Sequence, residues 1–241
     1  MKTRPLPAIL DPVSNSLQLK YLKRSTWAAT VALAVLACSS HKAPPQEAAK
    51  PRPTAALPTG GLAGQQVILL PLTLVAAEDS LGWERKFTDR RETLLQADSI
   101  LAALLQARVP EVGWILPDAL RHAARHAPGL APDPDQMGTA VLRVEKLTIV
   151  PDPLRSQLRM LAALSTGGAE RYALIPAALI YRRAHGTTAG PPPARAQAEL
   201  VVALVDVRTG QVMWRTVATG MGDDPWSTLV RAVKAFTPGL P

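Results

Sequence analysis

Two histidines stand four residues apart in the segment RHAARH, a spacing that could serve metal binding. His122 and His126 would share one face of a short helix, where two imidazoles can hold a transition metal. Asp133 and Asp135 follow closely and could complete a ligand set. However, the glutamate of the H-E-x-x-H zinc pattern is absent, and arginines project from the same helix. We therefore interpret the pair as part of a solvated surface and predict neither a metal nor another cofactor.

Hydroxyl and carboxylate side chains do not form a known catalytic motif. The segment STGG at 165–168 lacks the lysine of the phosphate-binding pattern G-x-x-x-x-G-K-[ST], so it predicts a turn that ends a helix. Ser156 and Arg159 form S-x-x-R rather than the acyl-transfer motif S-x-x-K, and no G-x-S-x-G occurs. The adjacent Asp223 and Asp224 predict a helix cap rather than an acid–base pair. We predict no catalytic residue.

The single cysteine of the chain, Cys38, ends an apolar run. The run from Trp27 to Ala37 is shorter than the roughly 20 residues that span a bilayer, and basic residues at 20–24 precede it. A positive region followed by an apolar one is typical of a secretory signal. The alternative is a cysteine with no special role inside an ordinary signal or membrane helix.

The segment VLAC at 35–38 resembles the lipobox of bacterial lipoproteins. The resemblance implies cleavage before Cys38, a diacylglycerol on its thiol and a fatty acyl chain such as palmitate on the new amino terminus. Two or more acyl chains hold a protein stably at a membrane, whereas one does so only marginally. Residue 39 is serine rather than aspartate. By resemblance to lipoprotein sorting, this favours the outer membrane, with the protein facing the periplasm.

The polar, proline-rich segment 38–64 predicts a flexible tether, because it cannot bury enough apolar surface to fold. The predicted organisation is a signal peptide at 1–37, this tether, and a single domain at 65–241. The 241-residue chain carries a net charge of +8. Residues 1–37 hold five of its 27 basic and one of its 19 acidic residues, so +4 remains after cleavage. With export and scattered arginines, this argues against a nucleic-acid partner.

Apolar patterns in the domain alternate between those of strands and those of helices. Helical spacing over 90–108 follows Asp89, a predicted N-cap, with Glu92 as in a capping box. Three Asp-Pro pairs predict further helix starts, because aspartate caps and proline suits the first helical position. A mixed sheet with helices packed on it, an α/β or α+β fold, follows. The Asp-Pro pairs begin at Asp133, Asp152 and Asp224, and strands are predicted at 66–73, 111–116 and 170–183, the last interrupted at Pro176, with a loop at 74–88.

The segments AELVVALVDV and QVMWRTVAT flank a short Arg-Thr-Gly loop and predict a hairpin, with Gly210 in the left-handed conformation. This hairpin and the strand VILLPLT resemble the anticodon-binding-domain-like fold of the TolB amino-terminal domain and of the envelope lipoproteins CsgG and LpoB. The resemblance covers 65–75 and 170–236. It implies a non-catalytic periplasmic domain that acts through its surfaces.

We expect a lipid-anchored envelope protein that serves as a binding or assembly module and contacts another envelope protein. The alternative is a cell-envelope hydrolase or cell-wall-modifying enzyme. Ionisable groups that converge in one deep pocket would favour the enzyme. An apolar groove, or an open sheet edge near the hairpin, would favour the binding module.

Overall fold

The computed structural model describes residues 54–166, 170–184 and 195–238. The predicted signal peptide, Cys38 and residues 38–53 of the predicted tether lie outside this part of the chain. So do residues 167 and 168 of the STGG segment.

The described residues form a mixed sheet of six strands and four α-helices. This confirms the predicted fold class. The strands are β1 Gln66–Leu69, β2 Val75–Ala77, β3 Gly113–Ile115, β4 Tyr172–Arg183, β5 Ala196–Asp206 and β6 Val212–Gly222. The helices are α1 Arg90–Arg108, α2 Pro117–His126, α3 Leu154–Thr166 and α4 Pro225–Phe236.

The sheet has the order β3-β1-β4-β5-β6, and β2 pairs with the far end of β4. β1 is parallel to β3 and β4, and β2 is also parallel to β4, whereas β4, β5 and β6 are antiparallel neighbours. The strand predicted over 170–183 forms as β4, and its pairing with β5 is irregular at Pro176, where the interruption was predicted. The register shifts between Pro176 and Ala178, because a bulge accommodates a residue that has no N–H to donate.

Helices cover both faces of the sheet. α1 and α4 pack on one face through buried side chains such as Leu101, Leu105 and Leu229. α2 and α3 pack on the other through Leu120 and Leu158. Nowhere in the described part is a helix both long and apolar enough to cross a membrane.

The folded part begins earlier than the predicted boundary at residue 65. Leu57 and Leu62 are almost fully buried in the core shared with α1 and α4. The Leu57 amide donates to the Phe236 carbonyl over 2.8 Å, and the Ala55 amide donates to Thr216 Oγ1 over 2.8 Å. The folded domain therefore includes Ala55 and Leu57, which lie in the predicted tether.

The segment 74–88, predicted as a loop, contains β2 and two 3₁₀ helices, Asp79–Leu81 and Glu84–Lys86. β2 is three residues long, too short to show an alternating pattern in the sequence. Trp83 from this segment is buried and packs edge-on against Tyr181. The segment is thus part of the folded layer beside α4.

Local capping explains where two helices begin. The Asp89 side chain accepts from the Glu92 amide over 3.0 Å at the start of α1. Asp224 accepts from the amides of Trp226 and Ser227 at the start of α4. The Asp-Pro pair at Asp133 initiates only the short 3₁₀ helix Pro134–Gln136, so the helix predicted there is reduced to a single turn.

The hairpin between β5 and β6 turns through Gly210, whose φ is 76°. The Asp206 side chain accepts from the amides of Arg208 and Thr209, each over 3.0 Å, and fixes the turn. A Cβ at residue 210 would lie 2.6 Å from Arg155 Cδ. Backbone conformation and limited space thus both favour glycine at this position.

Candidate functional site

An open groove of about 570 Å³ lies between α1, α2 and the segment 131–136. We call it the α1–α2 groove. Its apolar lining comprises Leu94, Leu95, Ala124, Ala131 and Pro134, and its polar lining comprises Arg90, Arg91, Arg121, Arg125, Asp133, Asp135 and Gln136. Cationic groups therefore outnumber carboxylates along this surface.

A buried carboxylate, Asp98, ties α1 to its neighbours beneath the groove. Its side chain is 4% exposed. Oδ1 accepts from the Leu72 amide over 2.8 Å, and Oδ2 accepts from Arg121 Nη2 over 2.5 Å. Both oxygens are thus occupied, as a buried charge requires.

Arg121 of α2 distributes its donors among three carboxylates. Besides Asp98, it donates from Nη2 to Asp135 Oδ1 over 2.7 Å and from Nη1 to Asp118 Oδ1 over 3.0 Å. Its Nε also contacts both Asp135 oxygens at 3.0 Å. The planar guanidinium thereby fixes α1, α2 and the 131–136 segment in one arrangement.

The environment shifts the ionisation of both partners. Burial raises the pKa of Asp98 to about 6, although the Leu72 amide and Arg121 act in the opposite direction. Burial lowers the pKa of Arg121, but the hydrogen bonds that it donates to Asp135 and Asp98 outweigh this effect and raise the pKa above its ordinary value. Arg121 is therefore always charged, whereas Asp98 changes charge in mildly acidic solution.

Two guanidinium groups at the groove, those of Arg91 and Arg125, have no partner among the described residues. Both residues are exposed, and neither guanidinium forms a hydrogen bond or ion pair there. Arg90 donates to the Thr73 carbonyl over 3.0 Å. The charges of Arg91 and Arg125 thus remain available to an external anion.

The groove lining has no hydroxyl, thiol or imidazole group. Its carboxylates are also engaged: Asp133 accepts from the Asp135 amide and from Gln136 Nε2, each over 3.0 Å, and Asp135 pairs with Arg121. Asp98, the carboxyl group with the raised pKa, lies below the lining with both oxygens bonded. This arrangement suits binding and offers no free nucleophile or base.

The predicted histidine pair lies on α2 but outside the groove. The rings of His122 and His126 are 4.3 Å apart between centroids, and both residues are exposed. Asp133 caps a 3₁₀ helix and Asp135 binds Arg121, so the structure uses these carboxylates elsewhere. Across the described ranges, no group of three or more potential ligand residues could hold a metal ion.

Sequence reasoning missed Asp98 and the groove beside it. Leu95, an apolar residue of α1, is 38% exposed and lines this groove. Asp98 stands four residues after Leu94 and three before Leu101, within the buried face. A charged residue at such a position is a signal of a buried ion pair, because an unpaired charge there would be costly.

The sheet edge near the hairpin is covered, contrary to what strand addition there would require. The Val212 amide donates to the Thr148 carbonyl over 2.8 Å. The Val217 carbonyl accepts from Thr54 Oγ1, and the Met221 carbonyl accepts from the Arg231 guanidinium. Side chains and a loop therefore occupy three backbone groups of β6, near its start, its middle and its end.

No family model and no curated protein matches this chain. Among solved structures, it is similar to the PelC dodecamer from Paraburkholderia phytofirmans (14% identity, 78% of this chain, 95% of that chain, TM-score 0.33). It is also similar to the LpoB C-terminal domain from Salmonella enterica (17% identity, 67% of this chain, 84% of that chain, TM-score 0.34). A third similar structure is lipoprotein GNA1162 from Neisseria meningitidis (13% identity, 70% of this chain, 95% of that chain, TM-score 0.33). Because these TM-scores are low, we argue function from the residues of this chain.

Proposed function

We propose that this protein is a lipoprotein anchored through Cys38 at the periplasmic side of the outer membrane. It acts as a non-catalytic binding module and holds an acidic, partly apolar segment of another envelope protein in the α1–α2 groove. The lipobox-like segment at 35–38 and the proline-rich segment after it support the anchor and the tether.

The observation that carries the binding role is the pair of partnerless cations beside an apolar surface. Arg91 and Arg125 line the same groove as Leu94 and Leu95. Cations attract and orient an acidic guest, and apolar side chains supply affinity through the area they bury. A guest with carboxylates and one or two aliphatic side chains matches both features.

The Asp98–Arg121 pair supports binding by holding the groove in shape before a partner arrives. A surface fixed in its bound form loses less conformational entropy on association. Arg121 donates its hydrogen bonds to carboxylates within the protein and so positions α2 and the 131–136 segment beside α1. Arg91 and Arg125 face the guest. The groove therefore combines a fixed frame with two free charges.

The same residues argue against the hydrolase alternative. A hydrolytic site needs a nucleophile or an activated water within reach of a base. The groove lining supplies neither a hydroxyl nor an imidazole, and its two carboxylates are bonded to neighbours. Asp98 is sealed below the surface.

A titration with a defined peptide tests the groove. The full chain is titrated with a fluorescein-labelled peptide of alternating glutamate and leucine blocks, and anisotropy is recorded. We expect binding to weaken at least tenfold in the double variant Arg91→Gln/Arg125→Gln. The variant Arg143→Gln/Lys146→Gln removes the same charge from exposed positions outside the groove and should bind as the parent does. An equal loss of peptide affinity in both variants would mean that only net charge matters. It would refute the proposal that the peptide binds in the groove.

A separate experiment tests the anchor. Cells that express the chain are labelled with radioactive palmitate, and membranes are separated from soluble periplasm. We expect label in the parent protein and none in Cys38→Ala, which should also leave the membrane fraction. If the parent protein takes up no label, the proposed anchor is wrong, whatever the result of the peptide titration.

A further inference from the structure

Among the residues that the structure describes, one of the two edges of β2 has no hydrogen-bond partner. The Leu179 amide donates to the Leu74 carbonyl, and the Glu78 amide donates to the Tyr181 carbonyl, each over 2.9 Å. Ala76 lies between these residues and is paired with Ile180, so its N–H and C=O groups also point toward β4. Successive residues of a strand direct their backbone groups to opposite edges.

It follows that Val75 and Ala77 direct their N–H and C=O groups away from β4. Within the described residues, no side chain or loop bonds to these groups. β6 is different, because Thr54, Thr148 and Arg231 each bond to one backbone group on its outer edge. Among the described residues, the edge of β6 is therefore partly occupied, whereas the β2 edge is open to a guest.

A slot of about 260 Å³ runs beside this open edge, between β2 and the 3₁₀ helix Glu84–Lys86. We call it the β2 slot. Its lining carries three carboxylates and no lysine or arginine; it comprises Val75, Ala76, Ala77, Glu78, Asp79, Trp83, Glu84 and Phe87. Glu78 pairs with Arg182 at 3.6 Å, and Lys86 Nζ lies 5.5 Å from the centroid of the Trp83 ring. Asp79 and Glu84, however, are exposed and form no ion pair with any described residue. These two carboxylates therefore favour a basic guest.

Aromatic rings form the base of the β2 slot and are held firmly. Phe87 stacks on Tyr181 with 5.8 Å between centroids, and its edge meets Trp83. Tyr181 is buried, and its hydroxyl donates to the Pro225 carbonyl over 2.9 Å. A guanidinium or ammonium group can bind over an aromatic face and pair with a neighbouring carboxylate such as Glu84 at the same time.

From these observations we infer that β2 is a second docking site, where an extended basic segment of a partner protein adds to the sheet as a new strand. The backbone of the guest bonds to Val75 and Ala77, as in other cases of strand addition. An arginine or lysine side chain of the guest enters the β2 slot between Phe87 and Glu84. This site shares no lining residue with the α1–α2 groove and does not depend on it.

The test uses a labelled octapeptide of alternating arginine and valine, titrated into the full chain. A second peptide has the same sequence with alternate backbone amides N-methylated. It keeps every charge but cannot donate the ladder hydrogen bonds. We expect the first peptide to bind at least tenfold more tightly than the second, and to slow hydrogen exchange at the Val75 and Ala77 amides.

Variants separate the β2 slot from general charge effects. Asp79→Asn/Glu84→Gln should weaken binding at least tenfold. Glu111→Gln/Asp223→Asn, which removes two exposed carboxylates elsewhere, should leave it unchanged, as should Arg91→Gln/Arg125→Gln. Equal binding of the N-methylated peptide, or of the polyamine spermine, would show that the site attracts cations without accepting a strand. Either result, or no exchange protection at Val75 and Ala77, overturns the inference.

Discussion

Asp98 and Arg121 determine how α1 and α2 sit against each other beside the groove. The Asp98 carboxylate accepts hydrogen bonds from the Leu72 amide and from Arg121, and Arg121 also donates to Asp135. Removing Arg121 would leave the buried Asp98 carboxylate without a counter-charge. This ion pair therefore helps to hold the shape of the groove.

The raised pKa of Asp98 predicts a pH-dependent stability. The folded-state pKa of about 6 lies above the ordinary value of 3.8, so the folded protein binds this proton more tightly than the unfolded chain. The contribution of Asp98 is fully present below pH 4 and is lost as the pH rises through 6. Its size is on the order of 2–3 kcal/mol.

Urea unfolding of the parent and of Asp98→Asn at several pH values between 4 and 7 checks this prediction. The free energy of unfolding of the parent, minus that of the variant, should fall as the pH increases. The amide keeps an acceptor for the Leu72 N–H but does not titrate, and all other groups are common to both proteins. Parallel curves for the two proteins would mean that Asp98 does not titrate in this range.

At the scale of elements, α4 depends on the cap supplied by Asp224. The Asp224 carboxylate accepts from two amides at the helix start and also from Ser227 Oγ. We expect Asp224→Ala to lower the free energy of unfolding by about 1 kcal/mol. Asp223→Ala changes the adjacent exposed carboxylate and should have little effect. Equal losses in chemical denaturation would assign the effect to charge rather than to capping.

The hairpin depends on the left-handed conformation at Gly210. A β-branched residue is strained at φ 76°, and a Cβ there also approaches Arg155. Gly210→Val should therefore lower the free energy of unfolding by about 1 kcal/mol or more. Asparagine tolerates this backbone region, so Gly210→Asn should cost less. If valine and asparagine have the same effect in thermal unfolding, backbone strain is not the cause.

The packing of α4 on β6 requires a residue without a side chain at Gly220. A Cβ there would collide with the backbone of Thr228 and Ala232 on the helix. Gly220→Ala should lower the free energy of unfolding by about 1–3 kcal/mol, because backbone atoms must move apart. Gly138→Ala, where a Cβ has open space, is the matched control. Similar values for both variants would show that α4 does not press on β6 as described.

For the molecule as a whole, the two proposed docking surfaces differ in charge and flank the first turn of α1. The acidic β2 slot includes Phe87, and the basic α1–α2 groove includes Arg90. The net charge of +8 therefore conceals local differences in sign. We propose that each surface selects its guest by local charge and by the apolar or backbone groups beside it.

Features that depend on nearby residues could be predicted from the sequence. The bounds of α1, the capping by Asp89 and Asp224 and the hairpin at Gly210 rest on contacts within a few positions. Features that depend on distant contacts could not. β2 follows no pattern of its own, and its open edge exists only because β4 pairs with its other side.

The same distinction applies to the candidate sites and the domain boundary. Asp98 and Arg121 are 23 positions apart in the sequence, so the local pattern around either residue does not predict that they form an ion pair. Leu57 gains its burial from α4, at the opposite end of the domain, although its neighbours in sequence are polar and proline-rich. Pattern analysis therefore assigned it to the tether, whereas tertiary contacts place it in the core.

Photocrosslinking in intact envelopes can capture the acidic partner proposed for the α1–α2 groove. A photoreactive amino acid replaces Leu95, which faces the α1–α2 groove, or Leu130, which is exposed outside the groove lining. We expect one protein adduct from position 95 and none from position 130, with the adduct lost in Arg91→Gln/Arg125→Gln and retained in Arg143→Gln/Lys146→Gln. An adduct from position 95 that persists without Arg91 and Arg125 would contradict the proposal that this groove binds an acidic partner.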